Sequence, residues 1–252
     1  MTNPPMILAA LEVITTAAAA DVRLNDVPVA MVGVPGGHGR AFIPAPGFIV
    51  SGPNRLAARF MPIGEEQPGA ASAQVRLAVF QEGDDFFTGA GDELARIDWT
   101  GASGPSASAR DFAADFGPPG WSWSRCVRWS TPQEALSDAM VFVQGLARAY
   151  LANDTQWIEA ASAPKFADLA RAFPIFPEAE MKAQVAEMIR SEPPAPTTSL
   201  PAPSPQLCAD NRLLFLIGAD GGPWLHKGGT GPRAGGAEML LGKLDGKWQV
   251  IR

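Results

Sequence analysis

The sequence is short of several residue types and patterns that many functions require. It has two histidines and two cysteines in 252 residues, and its 20 Lys and Arg are outnumbered by 26 Asp and Glu. The basic residues form no cluster, and nucleic-acid affinity comes largely from clustered Lys and Arg, so we expect no nucleic-acid partner. No apolar run reaches the roughly 18 uncharged residues that a membrane span requires. We therefore expect a soluble, cytoplasmic protein with no membrane partner.

The few cysteines and histidines give no metal or disulfide pattern. Cys126 and Cys208 are too few for a disulfide framework, and we expect two independent buried thiols, although the spacing leaves a pairing across domains open. His38 and His226 each lie beside glycines in a predicted loop, and neither has a Cys or a second His at ligand spacing. We expect two solvated loop histidines, no metal site and no cofactor.

The apolar N-terminal stretch from Met6 to Ala20 superficially resembles a cleaved leader. It lacks a positively charged start, because MTNPP contains no Lys or Arg, and Glu12 interrupts the apolar part. We interpret Leu8 to Thr16 as a first strand and expect an unprocessed chain.

Alternating apolar and polar residues dominate the first half of the chain. The clearest stretch runs from Ala20 to Pro62, where turns at Asn25-Asp26 and at 51–54 separate alternating segments. Further strands are predicted at 73–80, 94–99 and 122–130, with a loop at 100–109. Seven or eight short strands separated by turns predict an antiparallel β-sandwich domain over residues 1–130.

At Thr131 the spacing of the apolar residues changes from every second residue to every third or fourth residue. The run Thr131-Pro132-Gln133-Glu134 is a capping box, with Thr131 as N-cap and Pro132 at the first helical position. Further helices are predicted over 155–172, with a break near Pro164, and from Pro177 onward. Apolar residues at helical spacing predict the buried faces of the first and third helices: Leu136, Met140, Val143, Ala147 and Tyr150, then Met181, Val185, Met188 and Ile189.

The last sixty or so residues return to strand patterns. The proline-rich stretch 191–205 predicts a stiff connector. Leu213 to Ile217 is apolar on both faces and predicts a central strand, and Asp245-Gly246 predicts a hairpin between 238–244 and 247–252. We therefore predict an α+β fold: the sandwich domain, then an α+β domain over 131–252 with a three-helix block and an antiparallel β-meander.

Part of the first half resembles galactose-binding-like jelly-roll sandwiches. The resemblance lies in Val22-Arg23-Leu24-Asn25-Asp26-Val27, a following Gly/Pro loop, and Gly52-Pro53-Asn54-Arg55-Leu56, which matches a Gly-x-Asn-x-Leu strand start. It covers about forty residues and implies a fold often used for ligand or carbohydrate recognition, or as an accessory module.

The second half is similar in outline to NTF2-like cone folds. Three helices come before a strand meander that ends Leu244-Asp245-Gly246-Lys247-Trp248. The connector at 191–205 and the late clustering of the strands depart from the order of that family.

Some stretches contain residue types that occur in phosphate-binding, metal-binding or aromatic binding sites. The glycine-rich loops 33–39 and 228–236 lack the following helix N-terminus that a phosphate cradle needs, so we interpret them as turns. The acidic residues between 82 and 93 match no EF-hand spacing, and we expect a solvated acidic loop. Trp121, Trp123, Arg125 and Trp129 alternate along the predicted strand, so they form either an aromatic binding platform with a cation or part of the core.

These features favour a non-catalytic, bacterial-type binding protein. We expect it to recognise a protein partner, as an accessory subunit or a toxin-neutralising protein. One alternative is a carbohydrate-binding module that uses Trp121, Trp123, Arg125 and Trp129. The other is a glycan hydrolase that uses paired carboxylates near residues 82–93.

Overall fold

The computed structural model of the protein describes residues 8–33, 37–64, 70–81, 84, 91–101, 104–191, 202–218, 224–226, 236–237 and 239–252. Contacts between residues divide the chain into two compact units, Met1–Pro119 and Gly120–Arg252. Strands form the described part of the first unit, and the second unit contains helices followed by strands. The predicted α+β class and the predicted order of sheets, helices and C-terminal sheet are confirmed.

The described strands of the first unit form two antiparallel sheets of four strands each. They are β1 (Leu8–Thr16), β2 (Ala18–Leu24), β3 (Val27–Gly33), β4 (His38–Pro44), β5 (Gly52–Pro62), β6 (Ser72–Phe80), β7 (Asp92–Thr100) and β8 (Ser106–Ala114). The first sheet has the order β4-β1-β6-β7, and the second sheet has the order β3-β2-β5-β8.

One apolar core lies between these two sheets. Because side chains alternate along a strand, each sheet turns one face toward the core and one face away from it. The core cluster contains fully buried residues of both sheets, such as Leu11 and Val22. Phe60 on β5 stacks on Trp99 on β7, with ring centroids 5.5 Å apart. The first unit is therefore a β-sandwich.

Two asparagines join β2, β3 and β5 at one end of the second sheet. Asn25 lies in the two-residue β2–β3 turn with a φ of 53°, a left-handed conformation that asparagine tolerates. Its side-chain amide donates to the Phe48 carbonyl at 2.9 Å and to Asn54 Oδ1 at 2.8 Å, and its Oδ1 accepts from the Arg55 backbone N–H. Asn54 is 4% exposed and also accepts from the Val50 N–H and donates to the Val50 carbonyl. We call these bonds the asparagine network.

The structure contains two strands of the first unit that the alternation did not predict. β4 lies between the predicted loop 33–39 and the predicted turn at 51–54, and β8 begins inside the predicted loop at 100–109. The β8 sequence, SASARDFAA, is rich in Ala and Ser, and these residues give little strand signal because alanine is depleted in strands. β8 forms through pairing with β5 from Gly52↔Ala114 to Phe60↔Ser106.

The second unit packs four described helices with an antiparallel sheet. The helices are α1 (Pro132–Leu151), α2 (Thr155–Ala161), α3 (Ala163–Ala172) and α4 (Glu178–Ser191). The strands are β9 (Ser204–Cys208), β10 (Leu213–Ile217), β11 (Leu225–His226), β12 (Gly236–Ala237), β13 (Leu240–Leu244) and β14 (Lys247–Val250). The third sheet has the order β14-β13-β10-β9, and β11 pairs with β12 separately. Leu146 of α1, Leu214 of β10 and Val250 of β14 belong to one buried cluster.

Several local predictions in this unit are confirmed. Thr131 is the N-cap of α1, and its side chain accepts from the Glu134 backbone N–H at 3.2 Å. The break predicted near Pro164 separates α2 from α3, with Pro164 in the first turn of α3. β10 lies between β13 and β9, as predicted for a strand that is apolar on both faces. The hairpin turn at Asp245-Gly246 has a φ of 50° and then 78°.

The prediction of a strand over 122–130 is wrong. Ser122–Arg125 forms a 3-10 helix, and the backbone N–H groups of Val127 and Trp129 then donate to the carbonyls of Lys243 and Asn211, at 3.0 and 2.9 Å. These bonds tie the segment to strands and turns of the second unit. The division between the units accordingly falls at Pro119, before the predicted boundary near residue 130.

The predicted buried faces of α1 and α4 each contain one residue that is exposed in the structure. Leu136, Val143, Ala147 and Tyr150 of α1 are buried, but Met140 is 37% exposed. On α4, Ile189 is buried while Met188 is 61% exposed. Other predictions lie outside the described residues: most of the connector at 191–205, the centre of the loop 33–39, most of the loop 228–236, and the acidic residues Glu82 and Asp85.

The asparagine network predicts a large loss of stability on truncation of Asn54. The side chain of Asn54, which is 4% exposed, bonds the N–H and the carbonyl of Val50 and the amide of Asn25. Asn54→Ala leaves all three of these groups without that partner. We expect the free energy of unfolding of the first unit to fall by about 2–3 kcal/mol. Urea denaturation, with peptide-resolved hydrogen exchange to separate the units, measures the change. Gln74→Ala, which removes one exposed amide contact to Asp98, is the control and should leave stability nearly unchanged.

Candidate functional site

The face of the second sheet that points away from the core is the candidate binding surface, and we call it the outer face. The strand register decides which residues it contains. On β2 and β5, Arg23 lies opposite Ala57, Asp21 opposite Arg59, and Ala19 opposite Met61. On the flanking strands, Asp111, Ala109 and Ala107 of β8 lie opposite Arg55, Ala57 and Arg59, and Met31 of β3 lies opposite Asp21.

An open groove of about 300 Å³ lies in the outer face. Ala57, Ala107 and Ala109 line its floor. Side chains that end at a methyl group leave room above the strands, and alanine is a weak strand former at a solvent-facing position. These alanines therefore contribute space to the surface and little to the stability of the sheet.

Charged side chains line the groove above the alanines, and one of them makes no ion pair among the described residues. Arg23 lies 3.5 Å from the carboxylate of Asp21 and 3.3 Å from that of Asp26. Arg55 lies 3.2 Å from Asp111. Arg59 is exposed and lies opposite Asp21 in the register, but within the part of the chain that the structure describes it makes no ion pair and no side-chain hydrogen bond. The N–H donors of its guanidinium are therefore available to a binding partner.

The outer side of the first sheet has no such arginine among its described residues, because each arginine of its described strands forms an ion pair with a carboxylate. The closest pairs are Arg40 with Glu12 at 2.7 Å, Arg96 with Asp98 at 2.9 Å and Arg76 with Glu93 at 3.4 Å. Both sheets therefore turn charged residues to solvent, but only the second combines an alanine floor with an arginine that has no ion pair among the described residues.

Two exposed methionines extend the outer face beyond the groove. Met31 is 75% exposed and Met61 is 56% exposed. Met61 follows Arg59 by two residues along β5, and Met31 lies opposite Asp21, which itself lies opposite Arg59. Methionine is a flexible apolar side chain that occurs at binding surfaces because it adapts to the shape of a partner. The outer face thus presents apolar, small and charged residues together.

The four residues predicted as an aromatic platform do not share one exposed face. Trp121 and Trp123 are buried, at 2% and 8% exposure, whereas Arg125 is exposed and Trp129 is half-buried. The 3-10 helix at Ser122–Arg125 breaks the two-residue alternation on which that prediction rested. The role of these residues in binding stays a prediction from the sequence.

The buried end of this segment contains a charged cluster. Asp168 of α3, 1% exposed, accepts hydrogen bonds from the Ser122 backbone N–H at 2.9 Å and from the Ser122 hydroxyl at 3.1 Å. The guanidinium carbons of Arg171 and Arg252 lie 5.2 and 5.4 Å from the centre of the Trp121 ring. Burial and the neighbouring Arg252 lower the pKa of the Lys165 ammonium to about 8, and burial lowers the pKa of Arg252 to about 10.

This cluster does not have the arrangement of a serine nucleophile. The Ser122 hydroxyl donates directly to the Asp168 carboxylate, whereas an activated serine donates to an imidazole that a carboxylate orients. Asp168 instead accepts the first backbone N–H of the 3-10 helix, so its observed contacts fix the fold of this segment.

Trp129 belongs to a second cluster, which joins α1 to the third sheet. Its ring stacks on Trp248 with centroids 5.4 Å apart, and the Lys243 ammonium lies 5.6 Å from the Trp129 ring centre. Asp138 Oδ2 accepts from Lys243 Nζ at 2.8 Å and from Trp248 Nε1 at 2.6 Å. These hydrogen bonds lower the pKa of the Asp138 carboxyl below its usual value.

The remaining predicted chemistry-bearing residues are dispersed. His38 is exposed on β4, with Nδ1 3.0 Å from Thr16 Oγ1, and the side chain of His226 lies outside the described residues. Asp84 accepts from the Gln81 backbone N–H, and Asp92 and Glu93 begin β7. In the described ranges, no group of three or more His, Cys, Asp or Glu side chains is placed to hold a metal ion. No helix in those ranges has both the length and the apolar character needed to cross a membrane.

The composition of β5 is the feature of the sequence that indicates the outer face. Along β5 the solvent-facing positions are Arg55, Ala57, Arg59 and Met61, whereas solvated strand positions usually carry Thr or charged residues of both signs. The partners on β3 and β8 come from distant segments, so only the sheet order shows that Met31 and Ala107 join the same surface.

The Asp138 cluster predicts a pH-dependent contribution to stability. Because the folded-state pKa of Asp138 is lowered, the stabilisation is present above its usual pKa of 3.8 and is lost as the pH falls through the folded-state value. Asp138→Asn should lower the free energy of unfolding by about 0.5–1 kcal/mol at neutral pH, and the difference from the native sequence should vanish in strong acid. Thermal unfolding across acid to neutral pH measures both. Glu187→Gln, in an exposed ion pair on α4, is the matched control and should show no such loss.

The two thiols give a further prediction. Cys126 and Cys208 are each 1% exposed and are not joined in a disulfide, and burial raises the pKa of Cys126 to about 12. Because the thiolate is the reactive form, neither cysteine of the folded chain should react with Ellman's reagent near neutral pH. Both should react after denaturation in urea. A denatured, unreduced chain that releases no chromophore would instead reveal a disulfide.

No family model matches this sequence, no curated protein is significantly similar to it, and no solved structure matches its fold significantly.

Proposed function

We propose that the chain is a non-catalytic binding protein that recognises a protein partner, as an accessory subunit or a toxin-neutralising protein, through the outer face of the second sheet. The observation that supports this proposal is the composition of that face. Met31 and Met61 are the large apolar side chains of the first unit that are exposed in the described structure, and both lie on it. A partner that docks on this face covers both exposed methionines and the alanine-floored groove together.

The energetics favour a protein as the partner. Burying one methionine side chain on association contributes about 1.5–3 kcal/mol, and the alanines let a partner approach the strands closely. The charged side chains that line the groove provide orientation and association rate more than affinity. Methionine and arginine, which the outer face contains, are enriched in protein interfaces.

The other candidate functions have less support. A carbohydrate-binding platform needs exposed aromatic rings, and Trp121 and Trp123 are buried. A glycan hydrolase needs two carboxyl groups facing each other across a cleft. Glu93 of β7, one of the acids predicted for that role, lies 3.4 Å from Arg76 of β6 in an ion pair.

Site-specific photo-crosslinking in cells of the source organism tests the proposal. A benzophenone amino acid at Ala57, in the groove floor, should crosslink one protein, and the same probe at the exposed Ala183 of α4 should not. The double variant Met31→Asp, Met61→Asp should abolish the Ala57 crosslink. It should also weaken binding of the purified partner by about tenfold or more.

Met188→Asp is the matched control. Met188 is 61% exposed on α4, so its replacement makes the same kind of change, one exposed methionine to a charged residue, at another surface. It should leave the crosslink unchanged. Crosslinks of equal yield at Ala57 and Ala183, or a partner whose affinity is the same for the double variant, would contradict the proposal.

A further inference from the structure

We infer that the groove of the outer face is a docking site for an aspartate or glutamate side chain of the partner protein, with Arg59 as the residue that receives its carboxylate. This inference rests on the proposed function and adds the chemistry of the partner. Its basis is the combination of an arginine that makes no ion pair among the described residues, a groove floored by alanines, and two exposed methionines on either side of β2.

The hydrogen-bond donors of the groove select the chemistry of the partner group. The groove lining includes three guanidiniums, those of Arg23, Arg55 and Arg59, and two carboxylates, those of Asp21 and Asp26. Both carboxylates are within 3.5 Å of Arg23, and Arg55 is held by Asp111, so the three arginines and three aspartates balance in charge. Arg59 is the guanidinium of this set that makes no ion pair among the described residues, and its planar fork of N–H donors matches the geometry of a carboxylate.

The shape of the groove fits a side chain that enters from outside. A volume of about 300 Å³ above Ala57, Ala107 and Ala109 accommodates a short acidic side chain and part of its backbone. Met31 and Met61 lie on the same face, near the groove. In the proposed complex they contact apolar residues of the partner that neighbour its acidic residue. The preferred partner segment therefore combines one Asp or Glu with neighbouring apolar side chains.

A second copy of this chain does not supply the required group from the same face. The acidic residues that the outer face would present, Asp21, Asp26 and Asp111, are already within ion-pair distance of Arg23 or Arg55. Two outer faces brought together would place two Arg59 side chains opposite residues that are already paired. A different protein with an unpaired carboxylate satisfies Arg59 at less cost.

A selection from short random peptides displayed on phage, using the full chain as target, tests the inference. Enriched peptides should carry Asp or Glu beside Leu, Met or Phe. Synthetic versions, measured by fluorescence anisotropy, should bind Arg59→Gln about tenfold or more weakly than the native sequence. Their affinity should also fall with added salt. Arg96→Gln, which removes an arginine from the outer side of the first sheet, is the matched control and should bind normally.

A double-mutant cycle identifies the contact. Replacing the acid of the peptide by its amide should weaken binding to the native chain by the same factor as Arg59→Gln. Combining both changes should add no further loss, because the two groups contact each other. Losses that multiply would contradict the assignment of Arg59 as the carboxylate partner.

The outcomes separate the inference from the proposed function. Peptides without acidic enrichment whose binding is lost in the Met31→Asp, Met61→Asp variant would overturn the inference and leave the proposed function standing. Peptides that bind both variants normally would count against the outer face altogether. Concentration-dependent dimerisation that Arg59→Gln abolishes would show that a second copy is the occupant, and would also overturn the inference.

Discussion

The register of the second sheet depends on the asparagine network. Side chains alternate with a period of two, so a slip of one residue between β2 and β5 would turn Arg59 and Met61 inward and Phe60 outward. Asn25 and Asn54 prevent such a slip, because their amides satisfy each other and backbone groups of Phe48, Val50 and Arg55 only in the observed pairing. The composition of the outer face is therefore a consequence of the buried Asn54 and the half-buried Asn25 at one end of the sheet.

The outer face combines features that oppose the stability of an isolated sheet. Alanines on β5 and β8 give up the packing that β-branched residues would provide, and Met31 and Met61 expose apolar area to water. The core behind the face compensates, since Val22, Leu24 and Leu56 are fully buried and Phe60 stacks on Trp99. A rigid sheet with an adaptable surface suits recognition, because little order has to be created on binding.

Two polar clusters stabilise the second unit. The buried Asp168 accepts two hydrogen bonds from Ser122 and lies 3.7 Å from Arg171, and the exposed Asp138 joins Lys243 to Trp248. A buried carboxylate is costly unless hydrogen bonds and neighbouring charges compensate its lost hydration. In this unit the compensated charges hold a 3-10 helix and a helix–sheet junction in place.

The sequence by itself determined the features that depend on neighbouring residues. The Asn25-Asp26 and Asp245-Gly246 turns, the Thr131 cap and the change from two-residue to helical periodicity all follow from local conformational preferences. Only the tertiary structure decided the rest. β8 has a weak local signal and forms because β5 pairs with it, and the segment after Trp121 alternates like a strand but coils because Asp168 and the third sheet bind its backbone. The candidate surface joins Met31, Arg59 and Ala107, which lie far apart in the chain, so it exists only once the order β3-β2-β5-β8 is formed.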